Sequence, residues 1–305
     1  MRTVTVCYSV LFDNFNDYTR LQQSIEYNRL MGAEHFFIYV ESAGTRVEAL
    51  LKFYKHQGFL TVLSMPDFPA KRSWYHGQNT AINDCHCRAR YTSSFVLVQD
   101  FDEFVLPLQH ESWMDLIKEI DETHHYSQTE NNSLSDSSRP IASYAFIHSY
   151  YCSYPLNSSS LEVLKRTLLL SEDDCEFVKE QSVLLLMQMQ RMDFHDYPKR
   201  VKNLYRPEQV VEPGTHCPHR LSAGSINVPV DTRLAFLAHH RVNSDSEGVC
   251  FLDMNIRPFF KQFVDLLKKS KRDFEVYSSL CEAPLSRSNL GTTRQDMLDY
   301  MKRPC

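Results

Sequence analysis

Apolar residues along the first hundred positions recur with two different periods. Val4, Val6, Tyr8 and Val10 return every second residue, as on a strand with a buried face. A polar turn follows, Asp13-Asn14-Phe15-Asn16-Asp17. Tyr18, Leu21 and Ile25 then come at helical spacing, and Gly32 is placed to end that helix. Residues 35–40 predict a second strand, 45–56 a second helix closed by Gly58, and 59–63 a third strand stopped by Pro66 and Pro69. Residues 78–91 read as a helix without a clean stripe, and 95–98 as a fourth, wholly apolar strand. Strands alternating with helices of about 12–15 residues predict βαβ units and a mostly parallel sheet. Such a sheet places ligands beyond the carboxyl ends of its strands.

The later pattern is less regular. Ser112 and Asp115 form a capping pair ahead of a core stripe, Trp113, Leu116, Ile117 and Ile120. Residues 121–139 carry only Tyr126 and Leu134 as sizeable apolar groups and are read as a solvated surface loop. Strand character resumes over 141–151. A helix is expected from about Pro258, with Phe259, Phe263, Leu266 and Leu267 on one face and Lys268-Lys269 in its last turn. Another is expected from Thr293, paired with Asp296 and carrying Met297, Leu298 and Met301. The division predicted is an α/β domain over 1–250 with a helical extension, 251–305, packed on it. No internal repeat is present.

Composition narrows the chemistry. A chain of 305 residues buries a full core without staples. It has 8 glycines, where average usage gives roughly 21, and neither G-x-G-x-x-G nor G-x-x-x-x-G-K-[ST], so glycine-based dinucleotide and P-loop sites are excluded. A net charge of −5 without a long basic tract argues against nucleic acid. Nine cysteines without a C-x-x-C pair exclude zinc-ribbon and thioredoxin readings and leave at least one thiol unpaired within the chain. With two N-x-[ST] sequons, at Asn131 and Asn157, they point to a secretory-pathway lumen. No signal peptide is visible, and the longest apolar run, 183–187, falls far short of the ~18 residues of a membrane helix. The chain is expected to be soluble as it stands, or one domain of a longer anchored protein.

The sharpest local feature is the apolar strand that runs into Gln99-Asp100-Phe101-Asp102-Glu103-Phe104. In extended chain Asp100 and Asp102 project to one side, and carboxylates beside an apolar sheet need compensation. A hard cation, Mg²⁺ or Mn²⁺, held by one or two carboxylates and substrate phosphates supplies it. A solvated strand end, or carboxylates capping the next turn, is the plainer alternative. A D-x-D phosphohydrolase wants Thr or Val two residues past the second Asp, where Phe104 stands.

Residues 197–207 interleave Lys199, Arg200, Lys202 and Arg206 with apolar residues, as a strand lining an anionic ligand or as a basic edge strand. Gly214-Thr215-His216-Cys217-Pro218-His219 fits no standard zinc spacing. The apolar run 234–238 ends in His239-His240-Arg241, where a histidine can complete an oxygen-rich metal site or serve as an ordinary hydrogen-bonded residue.

In order and spacing these segments resemble glycosyltransferase family 92 over roughly residues 3–243: Val6-Cys7-Tyr8-Ser9, residues 25–39, Gly77-Gln78 with Ala81-Ile82-Asn83-Asp84-Cys85, residues 100–104, Lys202 with Arg206-Pro207 and Gly214-Thr215-His216, and Ala238-His239-His240-Arg241. The resemblance implies a GT-A fold: an α/β nucleotide-sugar-binding fold with a mostly parallel central sheet flanked by helices. It implies a metal-dependent inverting galactosyltransferase, using Mn²⁺ (or Mg²⁺) and UDP-galactose to build β-linkages on a glycan acceptor. Golgi membrane anchorage, through a segment this chain lacks, is implied as well. Carried over by position, Asp102 and His239 look like metal ligands, and Asp100 like a contact to ribose, metal or metal-bound water. Lys202 and Arg206 look like diphosphate neighbours. His216 lines the donor or acceptor side, and Asn83 and Asp84 support the sugar pocket or cap their helix. Asp196, Glu212, Asp245 and Glu247 are chemically able general bases. A catalytically inactive glycan- or nucleotide-binding relative is the alternative.

Overall fold

The computed structural model describes residues 1–65, 73–130, 139–152, 158–240, 249–253 and 259–282. The expected helix at Thr293, both sequon asparagines, Arg241, Asp245 and Glu247 lie outside the described residues. The chain begins β1 (Arg2–Tyr8), α1 (Tyr18–Leu30), β2 (Ala33–Val40), α2 (Thr45–His56) and β3 (Leu60–Ser64). It continues α3 (Gln78–Ala89), β4 (Ser93–Gln99), β5 (Glu103–Pro107), α4 (Trp113–Glu130), β6 (Ile141–Phe146) and β7 (His148–Tyr150). Next come α5 (Ser158–Leu168), α6 (Glu172–Glu180), α7 (Leu184–Met187), β8 (Gln190–Arg191) and β9 (Lys202–Tyr205). Short strands β10 (Val210–Glu212), β11 (Arg220–Leu221), β12 (Ile226–Pro229), β13 (Ala235–His239) and β14 (Phe251–Leu252) precede α8 (Phe259–Glu282).

The seven-stranded sheet has the order β12-β6-β9-β4-β1-β2-β3. β1, β2, β3 and β4 pair in parallel, as do β6 and β12. This is the mostly parallel α/β architecture expected. Period-two alternation distributes its side chains to two cores. Val4, Val6, Tyr8, Phe36, Ile38, Phe95 and Leu97 join the α1, α2 and α8 side. Cys7, Phe37, Tyr39, Val96 and Val98 pack with Ala81, Ile82 and Cys85 of α3. Gly32 and Gly58 follow α1 and α2 with φ of +109° and +87°, a backbone region that other residues enter only with strain. A Cys7–Cys85 disulfide joins β1 to α3, and Cys152–Cys250 ties the end of β7 to the start of β14.

β9 runs antiparallel to both its neighbours, β4 and β6. Leu97 pairs with Leu204 and Phe146 with Lys202, so the first residue of β9 meets the last residue of β6 and β9 begins toward the carboxyl end of β4. A second sheet, β5-β13-β7, stands beside this edge.

Three expectations change. Residues 121–130 continue α4 instead of opening a surface loop. No Gly or Pro interrupts this stretch, and a solvated helix face needs no apolar residues; Asp121 also accepts from Tyr144 and Arg206. The helix from Phe259 does not end at Lys268-Lys269 but runs to Glu282, because Phe274 and Tyr277 extend its apolar stripe onto Phe53 of α2. Between β4 and β5 the chain turns at residues 101–102, so Asp100 and Asp102 do not share one face of an extended strand.

Replacing Cys7 and Cys85 together with alanine is expected to lower unfolding free energy by about 2–4 kcal/mol, read from urea denaturation. His35 donates to or accepts from Thr61 (2.9 Å), and burial, aided by the Arg2 charge, lowers it from 6.5 to about 4. The unfolded chain therefore binds the extra proton between those values. Stability is fully present above pH 6.5 and falls as pH drops towards 4. The substitution His35→Gln should flatten that slope in denaturation curves at stepped pH.

Candidate active site

The turn between β4 and β5 holds itself by reciprocal bonds. The Asp100 amide donates to Glu103 Oε2 (2.9 Å) and the Glu103 amide to the Asp100 carbonyl (3.3 Å). Phe101 is drawn inward against Tyr8, with ring centroids 4.6 Å apart. The flanking carboxylates are thereby aimed at different partners. Asp100 and Glu103 meet Lys202 Nζ at 2.7 and 3.1 Å. The Lys202 side chain is 1% exposed, so its charge is neutralised where water does not reach it. Ser9, next after β1, donates to Asp100, and Gln78 Nε2, in the first turn of α3, donates to Ser9 Oγ (2.7 Å).

Asp102 faces His239, with Oδ2 3.4 Å from Nε2. Cross-strand register accounts for the histidine's position: His239 pairs with Glu103 on one side and Tyr150 on the other. His148 Nε2 lies 2.9 Å from His239 Nδ1. Alternation turns His240 inward, where Nδ1 meets Gln188 Oε1 at 3.0 Å.

Burial opposes the charge on Asp100, but Lys202 and the Ser9 hydroxyl outweigh it and hold the carboxyl below its usual range. Burial dominates at Glu103, raising it against the pull of Lys202, with Asp100 and Asp102 adding to the rise. Lys202 is disfavoured as a cation by burial, yet its two carboxylates raise it. His239 likewise loses solvent but is raised by Asp102 and Glu103. His148 is lowered to about 2, first by burial and then by the neighbouring His239, His195, Arg200 and Lys202.

These groups line a cleft of about 680 Å³ at the strand ends. Asp100, Asp102, Glu103, His239 and His216 contribute polar surface, together with His148, Tyr150 and Arg200. Val10, Phe12, Phe15, Trp74 and Tyr75 contribute apolar surface. Among the described residues, no three His, Cys, Asp or Glu side chains converge as a ready metal cage. Asp102 and His239 form a two-donor pair, while Asp100 is engaged by lysine and serine.

Of the residues singled out from sequence, Asp100, Asp102, Lys202, His239 and His216 come together. His216 lines the cleft with Nδ1 3.3 Å from the Val201 carbonyl. Arg206 does not join them. It shares the strand face of Lys202 but lies four residues along, roughly 13 Å, where it pairs with Asp121 (2.6 Å) and Tyr144 (2.8 Å). Asn83 and Asp84 sit in the middle of α3, neither capping it nor lining the cleft. Asn83 bonds the Asn79 carbonyl, and Asp84 takes Tyr39 (2.7 Å) and Arg88 (2.6 Å). Asp196 and Glu212 are exposed, beside Lys199 and His219 respectively, and do not line the cleft. Sequence reasoning gave no role to Ser9, Glu103, His148 and Tyr150, and named Arg200 only within the basic run 197–207. Ser9 and Glu103 carried a usable signal, each standing at the junction of a buried strand and a turn.

Fold and site define an α/β protein with a charged ligand cleft at the carboxyl edge of a mostly parallel sheet. More particularly, the chain belongs to glycosyltransferase family 92, whose model matches residues 2–278. It is similar to beta-1,4-galactosyltransferase galt-1 of Caenorhabditis elegans, 31% identical over 109 residues, which take in 34% of this chain and 25% of that protein. Looser likeness extends to solved structures. Glucosyl-3-phosphoglycerate synthase from Mycobacterium tuberculosis, in complex with Mn²⁺, UDP-glucose and phosphoglyceric acid, is 12% identical, with 88% of this chain and 80% of that chain covered and a TM-score of 0.35. S. aureus TarS 1-349 in complex with UDP is 11% identical, with 98% and 78% covered and a TM-score of 0.36.

Substituting Lys202→Met leaves Asp100 and Glu103 without their shared cation. Unfolding free energy should fall by about 3–5 kcal/mol. The double variant with Asp100→Asn should lose less, and a double-mutant cycle on urea midpoints measures the difference.

Proposed function

We propose that the cleft binds UDP-galactose with a divalent cation, Mn²⁺ or Mg²⁺, and transfers galactose with inversion to a glycan hydroxyl, forming a β-linkage. The observation that carries this reading is the Asp102–His239 pair directed into a cleft whose acidic turn is braced from behind by the buried, neutralised Lys202. The two donor atoms, 3.4 Å apart, have about the spacing of adjacent ligands around a cation bound at ~2.1 Å. A carboxylate and an imidazole suit Mn²⁺, and two protein ligands with substrate phosphates make up the usual complement for such an ion. When bound, the cation supplies charge neutralisation at the departing diphosphate.

The chain's own residues divide the remaining work. Lys202 is spent on Asp100 and Glu103, so it stabilises the turn from behind rather than reaching the ligand. Arg200, at the cleft with its guanidinium donating to the Tyr150 hydroxyl, is the described cation free to meet a phosphate. Asp100, fixed by Ser9 and Lys202, faces ribose or a metal-bound water. His216 stays neutral, lowered by burial and by Lys202, and offers a hydrogen-bonding edge to a sugar hydroxyl. Galactose as donor is supported by the similarity to galt-1. A Golgi lumen is supported by the two disulfides, which persist in oxidising compartments.

Calorimetric titration of UDP with and without Mn²⁺, on the wild type and on Asp102→Asn, tests the site. Mn²⁺-dependent binding that the substitution removes is expected, together with loss of galactose transfer in a folded protein. Binding of UDP by the variant at wild-type affinity in Mn²⁺ would sink the assignment. No UDP binding by the folded wild type would favour a relative without transfer activity.

A further inference from the structure

His239 is held by a neighbour that no catalytic role has claimed. His148 lies on β7, parallel to β13, diagonal to His239 in the register that pairs Leu237 with His148 and His239 with Tyr150. Its side chain is buried, with the residue 1% exposed. His239 Nδ1 has two polar groups within reach. His148 Nε2 is at 2.9 Å and Glu103 Oε1 at 3.6 Å, and only the first is a hydrogen bond. The backbone holds His148 in place: the His195 amide donates to its carbonyl at 2.9 Å.

We propose that His148 is the positioning residue of His239: its Nε2 accepts the His239 Nδ1–H and presents the His239 Nε2 lone pair, beside Asp102, to a divalent cation. The inference rests on the metal–UDP reading of the cleft. A second observation supports it. Among the described residues, His148 Nδ1 has no hydrogen-bond partner. A buried polar atom left unpaired lowers stability, and a leucine would fill a packing role there without that cost. An imidazole at this position is accounted for by what its other nitrogen does. An imidazole ligand whose far nitrogen is hydrogen-bonded has its tautomer and ring plane fixed, and removing such a partner typically weakens metal binding by 10–100-fold.

The test measures Mn²⁺ affinity in the presence of UDP by calorimetry, and thermal stability in parallel, on wild type, His148→Leu, His148→Gln and His148→Asn. Expected are a folded Leu variant whose Mn²⁺ binding is weaker by roughly 10-fold or more, a Gln variant close to wild type, because its amide reaches His239, and an Asn variant as weak as Leu, because the shorter amide does not. A purely structural role would lower stability and leave Mn²⁺ affinity unchanged. Wild-type affinity in the Leu variant overturns the inference. So do equal affinities of the Gln and Asn variants, a comparison that stands if the Leu variant fails to fold. A wild type that binds no Mn²⁺ overturns the cleft reading itself, whereas unaltered binding in the His148 variants overturns only the positioning role.

Discussion

The site depends on one buried cation. Lys202 enters the interior only because two carboxylates meet it there, and those carboxylates flank a turn that has to sit at the end of an apolar strand. Each party makes the other tolerable: a lone ammonium or a lone carboxylate at this depth would cost several kcal/mol. The reciprocal amide bonds of Asp100 and Glu103 close the turn, and Phe101 anchors it on Tyr8. Asp102 is the member of the acidic run left to face the cleft with a histidine, and its direction follows from what its neighbours are committed to.

Much of the fold was legible because its strands are short, apolar and bounded by turn residues. Val4 to Val10, 35–40 and 95–98 announce the strands of a sheet, and Gly32 and Gly58 mark where helices must stop. What misled was polarity without a breaker. The run from Asp121 has few apolar residues, yet nothing in its first ten residues forbids a helix. The length of α8 was missed because Phe274 and Tyr277 find their partners on α2, a contact that periodicity alone does not reveal.

The candidate site was legible in its types and less so in its pairings. A D-x-D after a buried strand was enough to nominate Asp100 and Asp102, while the choice of His239 from the histidines ending another strand came with the family resemblance. That Lys202 would be consumed by Asp100 and Glu103, and Arg206 by Asp121, is information about direction along a strand and depth in the core. Charge patterning cannot separate a cation that meets a ligand from one that meets a neighbour. His148 and Tyr150 were hidden for a related reason: a three-residue strand has too few positions to display a period, and their proximity to His239 exists only through parallel pairing with β13.

The reversal of β9 has a consequence for how such a site can change over time. Because this strand runs against its neighbours, its beginning, rather than its end, reaches the ligand edge. The segment that delivers it, residues 192–201, places Arg200 at the cleft while Lys202 to Tyr205 remain locked in the sheet. Substitutions or insertions there can reshape the entrance without disturbing the ion pairs beneath. The protein thus carries an adaptable lip over a floor locked by ion pairs.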